Sequence, residues 1–345
     1  MSTARRPTRP RKHVDLALQG GGAHGAFTWG VLDRLLEDER LEIAGVSGAS
    51  AGAINAVVMA AGLMAGGRGA AREALLAFWT SVGASTRLNP LNGGMFGALF
   101  GSAASWTPLG MYMDMASRVL SPYQFNPLNL NPLRQVIEDA VDFDAVRRCD
   151  KVDLFIGATH VRTGRLRVFR NAELSVDAVL ASACLPTMFQ AVEIDGEAYW
   201  DGGYSGNPSM SPLIRECHAS DTILVQINPI ERRGTPRTAR EIHNRLNEIA
   251  FNSVLLKELH AGALLKHATD PGTGEGAIWA QMRIHRISSD VMLELGYSSK
   301  MIAEWAFFCM LRDEGRKAAS EFLAAHGKDL GVRSSLDLDA LTEGV

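Results

Sequence analysis

Ile43 to Val58 reads IAGVSGASAGAINAVV, and this stretch decides which fold the rest of the chain can adopt. It begins as an apolar strand and ends as an Ala-rich helix, with Gly48-Ala49-Ser50-Ala51-Gly52 between them. A strand that passes directly into a helix belongs to an α/β fold with a largely parallel sheet. The small residues on either side of Ser50 let the backbone bend sharply and present its Oγ above the sheet edge. The helix beside it aims free N–H groups and a positive dipole end at the same place. Ser50 is therefore expected to be a nucleophile. GxSxG arises by chance in a Gly/Ala-rich chain, so this expectation depends on the residues that surround it.

Working outward toward the N-terminus, Val14–Gly20 is a short buried strand. It ends in Gly20-Gly21-Gly22-Ala23-His24-Gly25, and a helical pattern follows from Ala26 to Glu39. Gly20, Gly22 and Gly25 satisfy GxGxxG, a spacing used to bind dinucleotides. Such a site needs an acidic residue at the end of the second strand. Here that strand ends in Val46-Ser47-Gly48, with Glu42 at its wrong end. The glycines suit an oxyanion hole better. Gly20, Gly21 and Gly22 would let successive N–H groups approach a developing negative charge with no Cβ in the way, and each such donor can be worth roughly 3 kcal/mol.

Toward the C-terminus the serine needs a base. His160 lies at a strand end, while His243, His260 and His267 fall on one long polar helix. The helix histidines are expected on a solvated face, and His160, with His24, stays the candidate base for a histidine-dependent hydrolase. Asp201 ends a strand and is followed by Gly202-Gly203, which lets the backbone turn away while the carboxylate points back to the sheet edge. Burial can raise such a carboxyl toward the basicity the reaction requires.

Between these points the chain alternates elements. Helices are expected over 53–65, 70–81, 131–141, 175–184, 239–268 and 298–325. Strands are expected over 153–161, 165–170, 189–194, 197–200, 221–228 and 278–287. Leu88–Met113 is free of charge and rich in Gly, Met and aromatic residues. Met95, Phe96, Phe100 and Trp106 from this insert are candidate substrate contacts, as is His24. Neither this run nor Ile43–Gly67 reads as a membrane span, because Ser, Gly and Pro interrupt both.

The 345 residues carry a net charge of −3, which excludes a chain-wide nucleic-acid footprint. The four cysteines are dispersed without a CxxC pair, so no zinc site or disulfide framework is expected and a reducing compartment fits.

The ordered set Gly20-Gly21-Gly22, Gly48-Ala49-Ser50-Ala51-Gly52 and Asp201-Gly202-Gly203 resembles the patatin-like phospholipase family. Ala181-Ser182-Ala183-Cys184-Leu185-Pro186, before the Asp strand, is similar to that family as well. The resemblance covers Asp15 to Pro208. It implies a three-layer α/β fold, a central mostly parallel sheet sandwiched by helices, with long helices near the C-terminus. It also implies hydrolysis of lipid acyl esters by a Ser50–Asp201 dyad, with Gly20, Gly21 and Gly22 as the oxyanion hole. No catalytic histidine, cofactor or metal is implied. Family members often carry Arg or Lys just after the glycines; the nearby residue here is His24, so a fixed positive charge is expected to be missing.

The organisation expected is a basic arm over 1–12, one acyl hydrolase domain over 13–330 with an apolar insert over 88–130, and a tail over 331–345. The partner expected is a lipid or acyl ester, with peripheral membrane contact from a cytoplasmic location and no nucleic acid. An acyltransferase or non-lipid carboxylesterase on the same site is the alternative, and a non-catalytic peripheral lipid-binding protein is the reading from another class.

Overall fold

A computed structural model describes residues 11–85 and 120–342, apart from 218, 233, 269, 271, 272, 297, 298 and 301. The strands are β1 (Lys12–Leu18), β2 (Leu41–Gly48), β3 (Asp153–His160), β4 (Leu166–Arg170), β5 (Val192–Ile194), β6 (Glu197–Asp201), β7 (Asp221–Val225) and β8 (Arg283–Ile287). The principal helices are α1 (Gly25–Glu37), α2 (Ala51–Ser85), α3 (Pro132–Ala140), α4 (Val176–Ser182), α5 (Ser211–Glu216), α6 (Ala239–His267), α7 (Glu275–Gln281) and α8 (Trp305–His326).

The strands form one sheet in the order β5-β6-β3-β2-β1-β7-β8, with β4 also paired to β3. The run from β3 to β8 is parallel throughout, and β4, β5 and β6 add antiparallel pairs. Successive strand residues face opposite sides, and this alternation divides the core in two. Leu16, Leu18, Ile223 and Val225 pack with side chains of α1, α2 and α8. Ala17 and Leu224 pack on the other face with Leu213 of α5, Leu255 and Leu259 of α6, and Trp279 of α7. The result is helices, sheet and helices in three layers.

Local chemistry sets several element ends. Asn131 caps α3 by accepting from the Leu133 N–H, with Pro132 in the first turn. The β5–β6 hairpin turns at Asp195-Gly196, both with positive φ, the pairing that two-residue hairpins favour. The helices expected over 53–65 and 70–81 are two arms of α2, joined by non-helical backbone at Gly66 and Gly67. Ala51–Ala84 is long and apolar enough to cross a membrane by length and composition, yet 67% of its apolar window is buried in the protein. The break brings Gly62 against Ala71, so this run folds back as a core hairpin.

Three expectations are corrected. Residues 275–281 are helical rather than part of a strand over 278–287: Trp279 is buried beside Gly262 of α6, and this packing overrides a short alternating pattern. The C-terminal helix begins at Trp305, after an extended Glu304, and Ser299 and Lys300 before it are engaged by His24 and Asn228. Residues 331–342 do not trail away. Leu336 N–H donates to Ile284 O, and Leu338 is buried against the sheet's second core. Residues 1–10 of the arm and 86–119 of the insert, including Met95, Phe96, Phe100 and Trp106, lie outside the described residues.

Candidate active site

The pairing along β3 brings Ser50 and Asp201 together. β2 pairs with the first part of β3, Gly48 beside Ile156. β4 occupies the opposite edge. β6 therefore shares the edge used by β2, running antiparallel and ending with Asp201 beside Ala158. The two strands approach head-on along one edge of β3, and their ends lie two residues apart in register, about 7 Å at strand rise. Ser50, just past the end of β2, and Asp201, the last residue of β6, meet in that gap.

Ser50 adopts φ 54°, a left-handed conformation that is uncommon for a residue with a side chain. Its N–H donates to Ser182 O at 3.1 Å and Ser182 Oγ at 3.0 Å. The segment that follows α4 also holds the partner: Asp201 N–H donates to Cys184 O at 2.8 Å. Both residues of the pair are buried.

Burial pushes the Asp201 carboxyl up to about 7; the Gly203 N–H, the Ser50 hydroxyl and the charge of Lys300 act against that rise. Oδ1 accepts from Gly203 N–H at 2.7 Å. Oδ2 has no partner of strict hydrogen-bond geometry, although the Ser50 hydroxyl is near enough to stabilise the carboxylate. The open side of the carboxylate thus faces the serine, with a basicity matched to neutral pH.

The glycine run turns beside Ser50. A Cβ on Gly20 would fall 2.6 Å from Ser50 Cβ, so only glycine allows this approach. Gly22 has φ +57°, and a Cβ there would fall 2.5 Å from Lys300 O. The expectation for Gly20 is corrected: its N–H already donates to Asn207 Oδ1 at 2.6 Å. No acceptor among the described residues takes the N–H groups of Gly21, Gly22 or Ala51. Gly21 and Gly22 line the same cavity as Ser50 and Asp201.

That cavity encloses about 100 Å³ and is walled by Ile54, Phe78, Trp79, Leu185, Phe251 and Phe308 among others. It is smaller than an engineered cavity that holds benzene, ~150 Å³, room for the carbonyl end of an acyl group. A larger cleft of about 460 Å³ lies past β7 and β8, and neither Ser50 nor Asp201 lines it.

His24 is not part of the wall. It is buried, bonds Ser299 Oγ at 2.8 Å, and its pKa is lowered by burial and by the charges of Lys300 and Arg232. No histidine is among the described residues lining the cavity; His160 bonds Glu197 instead. The expected lack of a positive charge is corrected by Lys300, which lines the cavity. Nothing in the local sequence marks it, because it arrives from beyond β8. Asn228 was also missed: it follows β7, and only the pairing of β7 with β1 sets it beside the glycine turn.

A three-layer α/β protein with a buried serine–carboxylate pair at the carboxyl edge of its sheet has the form of an acyl-ester hydrolase. The sequence model of the patatin-like phospholipase family matches residues 16–214, and the chain belongs to that family, a group of lipid acyl hydrolases. No curated protein matches the sequence. Among solved structures, VipD from Legionella pneumophila is 14% identical, with 94% of this chain and 72% of that chain covered and a TM-score of 0.43. The type III effector protein ExoU is 16% identical, with 92% and 53% covered and a TM-score of 0.37. The chain thus spans about half the length of that ExoU structure.

Proposed function

We propose that the protein cleaves carboxylic ester bonds of lipids through an acyl-enzyme on Ser50, with Asp201 as the base. The observation that carries this reading is the head-on meeting of β2 and β6, which sets a strained serine against a buried carboxylate whose second oxygen is uncommitted. Asp201 accepts the Ser50 proton as Oγ attacks the ester carbonyl. The oxyanion that forms is met by the N–H groups of Gly21 and Gly22. Collapse breaks the ester C–O bond, and Asp201 returns the proton to the departing alcohol. Water, losing its proton to Asp201, then attacks the acyl-enzyme; the Ser50 C–O bond breaks as Asp201 passes that proton to Ser50 Oγ, which frees the fatty acid and restores the pair.

The aromatic and aliphatic cavity wall supports an acyl group as the part bound. The chain from residue 13 to the packed segment 331–342 is proposed to act as one acyl hydrolase domain, cytoplasmic and in peripheral contact with the lipid surface that holds its substrate. Free cysteines at all four positions support a reducing compartment.

Ser50→Ala is expected to abolish turnover of p-nitrophenyl acyl esters while leaving the thermal melt in place. A fluorophosphonate probe should label Ser50 in the wild-type protein. A folded protein that does not label at Ser50 would overturn this reading in favour of non-catalytic lipid binding.

A further inference from the structure

Lys300 is a buried lysine between the glycine turn and Asp201, brought there from the far end of the chain. Its backbone packs on Gly22: the Lys300 carbonyl occupies the space a side chain on Gly22 would need. Its Nζ donates to Asn228 Oδ1. Asn228 Nδ2 in turn donates to Gly20 O at 2.8 Å. The Gly20 carbonyl and the Gly21 N–H belong to the same peptide group, so whatever polarises the carbonyl strengthens the N–H as a donor. The relay is held from behind. Gln19 Oε1 accepts from the Ile227 and Asn228 N–H groups at 2.9 and 2.8 Å, and Gln19 Nε2 donates to Asn252 Oδ1 on α6.

We propose that Lys300 is a positioning residue that charges the oxyanion hole through Asn228, its ammonium polarising the Asn228 amide, which polarises the Gly20–Gly21 peptide and makes Gly21 N–H the stronger donor. This rests on the reading of Ser50 as nucleophile and of Gly21 as a donor to the oxyanion. It gives the chain, from a remote segment, the positive charge that its own glycine turn lacks at His24. The same charge acts on Asp201, favouring its ionised form.

Charged and titratable groups acting on Lys300 among the described residues include Asp201 at the end of β6, Glu248 on α6, Arg232 after β7 and His24 in the glycine turn. Burial lowers Lys300 to about 8, Glu248 and Asp201 oppose that fall, and Arg232 adds to it. The ammonium is therefore lost just above neutrality, and the hole weakens with it. Because Lys300 and Asp201 interact, the two limbs of the rate profile belong to the pair.

The test compares wild type, Lys300→Met and Lys300→Arg on a p-nitrophenyl acyl ester from about pH 5 to 10, with fluorophosphonate labelling of Ser50 alongside. The wild-type kcat/KM should rise through about pH 7 and fall again through about pH 8. Lys300→Met should lower kcat about tenfold to a hundredfold, less than or near the loss of a whole oxyanion donor, with KM little changed. It should also move the acid limb to higher pH, since a cation that favours ionised Asp201 is gone, and erase the alkaline limb. Lys300→Arg should keep the acid limb and erase the alkaline one, because guanidinium stays charged. A Lys300→Met protein that labels at Ser50 with unchanged kcat and unchanged limbs overturns the inference. If neither variant folds, a wild-type profile with no alkaline limb overturns it. A wild-type protein that neither labels nor turns over ester overturns the functional reading first and this one with it.

Discussion

Ser182 holds Ser50 from the end of another helix, with its carbonyl and its hydroxyl both accepting the Ser50 N–H. Two residues further on, Cys184 O accepts the Asp201 N–H. One short segment, from Ser182 at the end of α4 to Cys184, thereby fixes the backbones of both members of the pair. A strained φ at Ser50 persists only where surrounding bonds over-determine it, and Ser182 supplies two of them.

Ser182→Ala removes the hydroxyl acceptor and leaves the carbonyl in place. The loss of one buried hydrogen bond should cost about 1 kcal/mol of stability. Because the elbow then has one restraint fewer, kcat should fall several-fold while KM holds. Denaturant melts and steady-state kinetics check both; a variant with wild-type kcat would show that the carbonyl alone suffices.

Asp201→Asn should reduce turnover to the level of the Ser50→Ala protein, since an amide accepts no proton. In the wild type the raised pKa of Asp201 places its loss of activity on the acid side, with the rate rising as the carboxyl ionises through about pH 7. A rate already maximal at pH 5 would contradict that assignment.

Gly22→Ala should damage the site more than its size suggests. The position needs a positive φ, and the added methyl would collide with the Lys300 carbonyl. Strain of this kind costs on the order of 1–3 kcal/mol. Fluorophosphonate labelling should slow together with ester turnover, because the displaced turn carries the N–H groups proposed to meet the oxyanion.

Asp15 gives a prediction about stability that leaves the site untouched. It is fully buried on β1, and burial pushes its carboxyl up to about 8, against the Gly45 N–H and the Cys217 thiol. Neither carboxyl oxygen has a partner of strict hydrogen-bond geometry. A folded pKa above the unfolded value means stability is lost as pH rises from about 4 to about 8. At 1.36 kcal/mol per unit the loss is on the order of 5 kcal/mol. Asp15→Asn should flatten this slope in thermal melts across that range. A slope retained in the variant would place its origin elsewhere.

Much of the site was legible because its parts are local. Gly48 to Gly52 and Asp201 to Gly203 each mark a strand end by residue type, and their occurrence in order with the glycine turn sets them apart from chance turns. The hairpin at Asp195-Gly196 and the cap at Asn131 follow the same logic. The first part of the strand expected over 278–287 is helical for the opposite reason, while 283–287 is the strand β8. An alternating pattern of a few residues suits helix or strand equally, and the contact of Trp279 with α6, distant in sequence, decides between them.

Sequence alone determined the order of the parts: a glycine turn, a serine elbow and an aspartate at a strand end, in an alternating α/β chain. Each depends on backbone conformation within a few residues, which neighbouring side chains control. Tertiary structure decided which of those groups can work together. Only the shared edge of β3 sets Asp201 against Ser50. Only the pairing of β7 with β1 sets Asn228 on Gly20, which spends one N–H elsewhere and leaves Gly21 and Gly22 open. Lys300 reaches the turn from beyond β8, and no local pattern can encode a charge supplied from so far away.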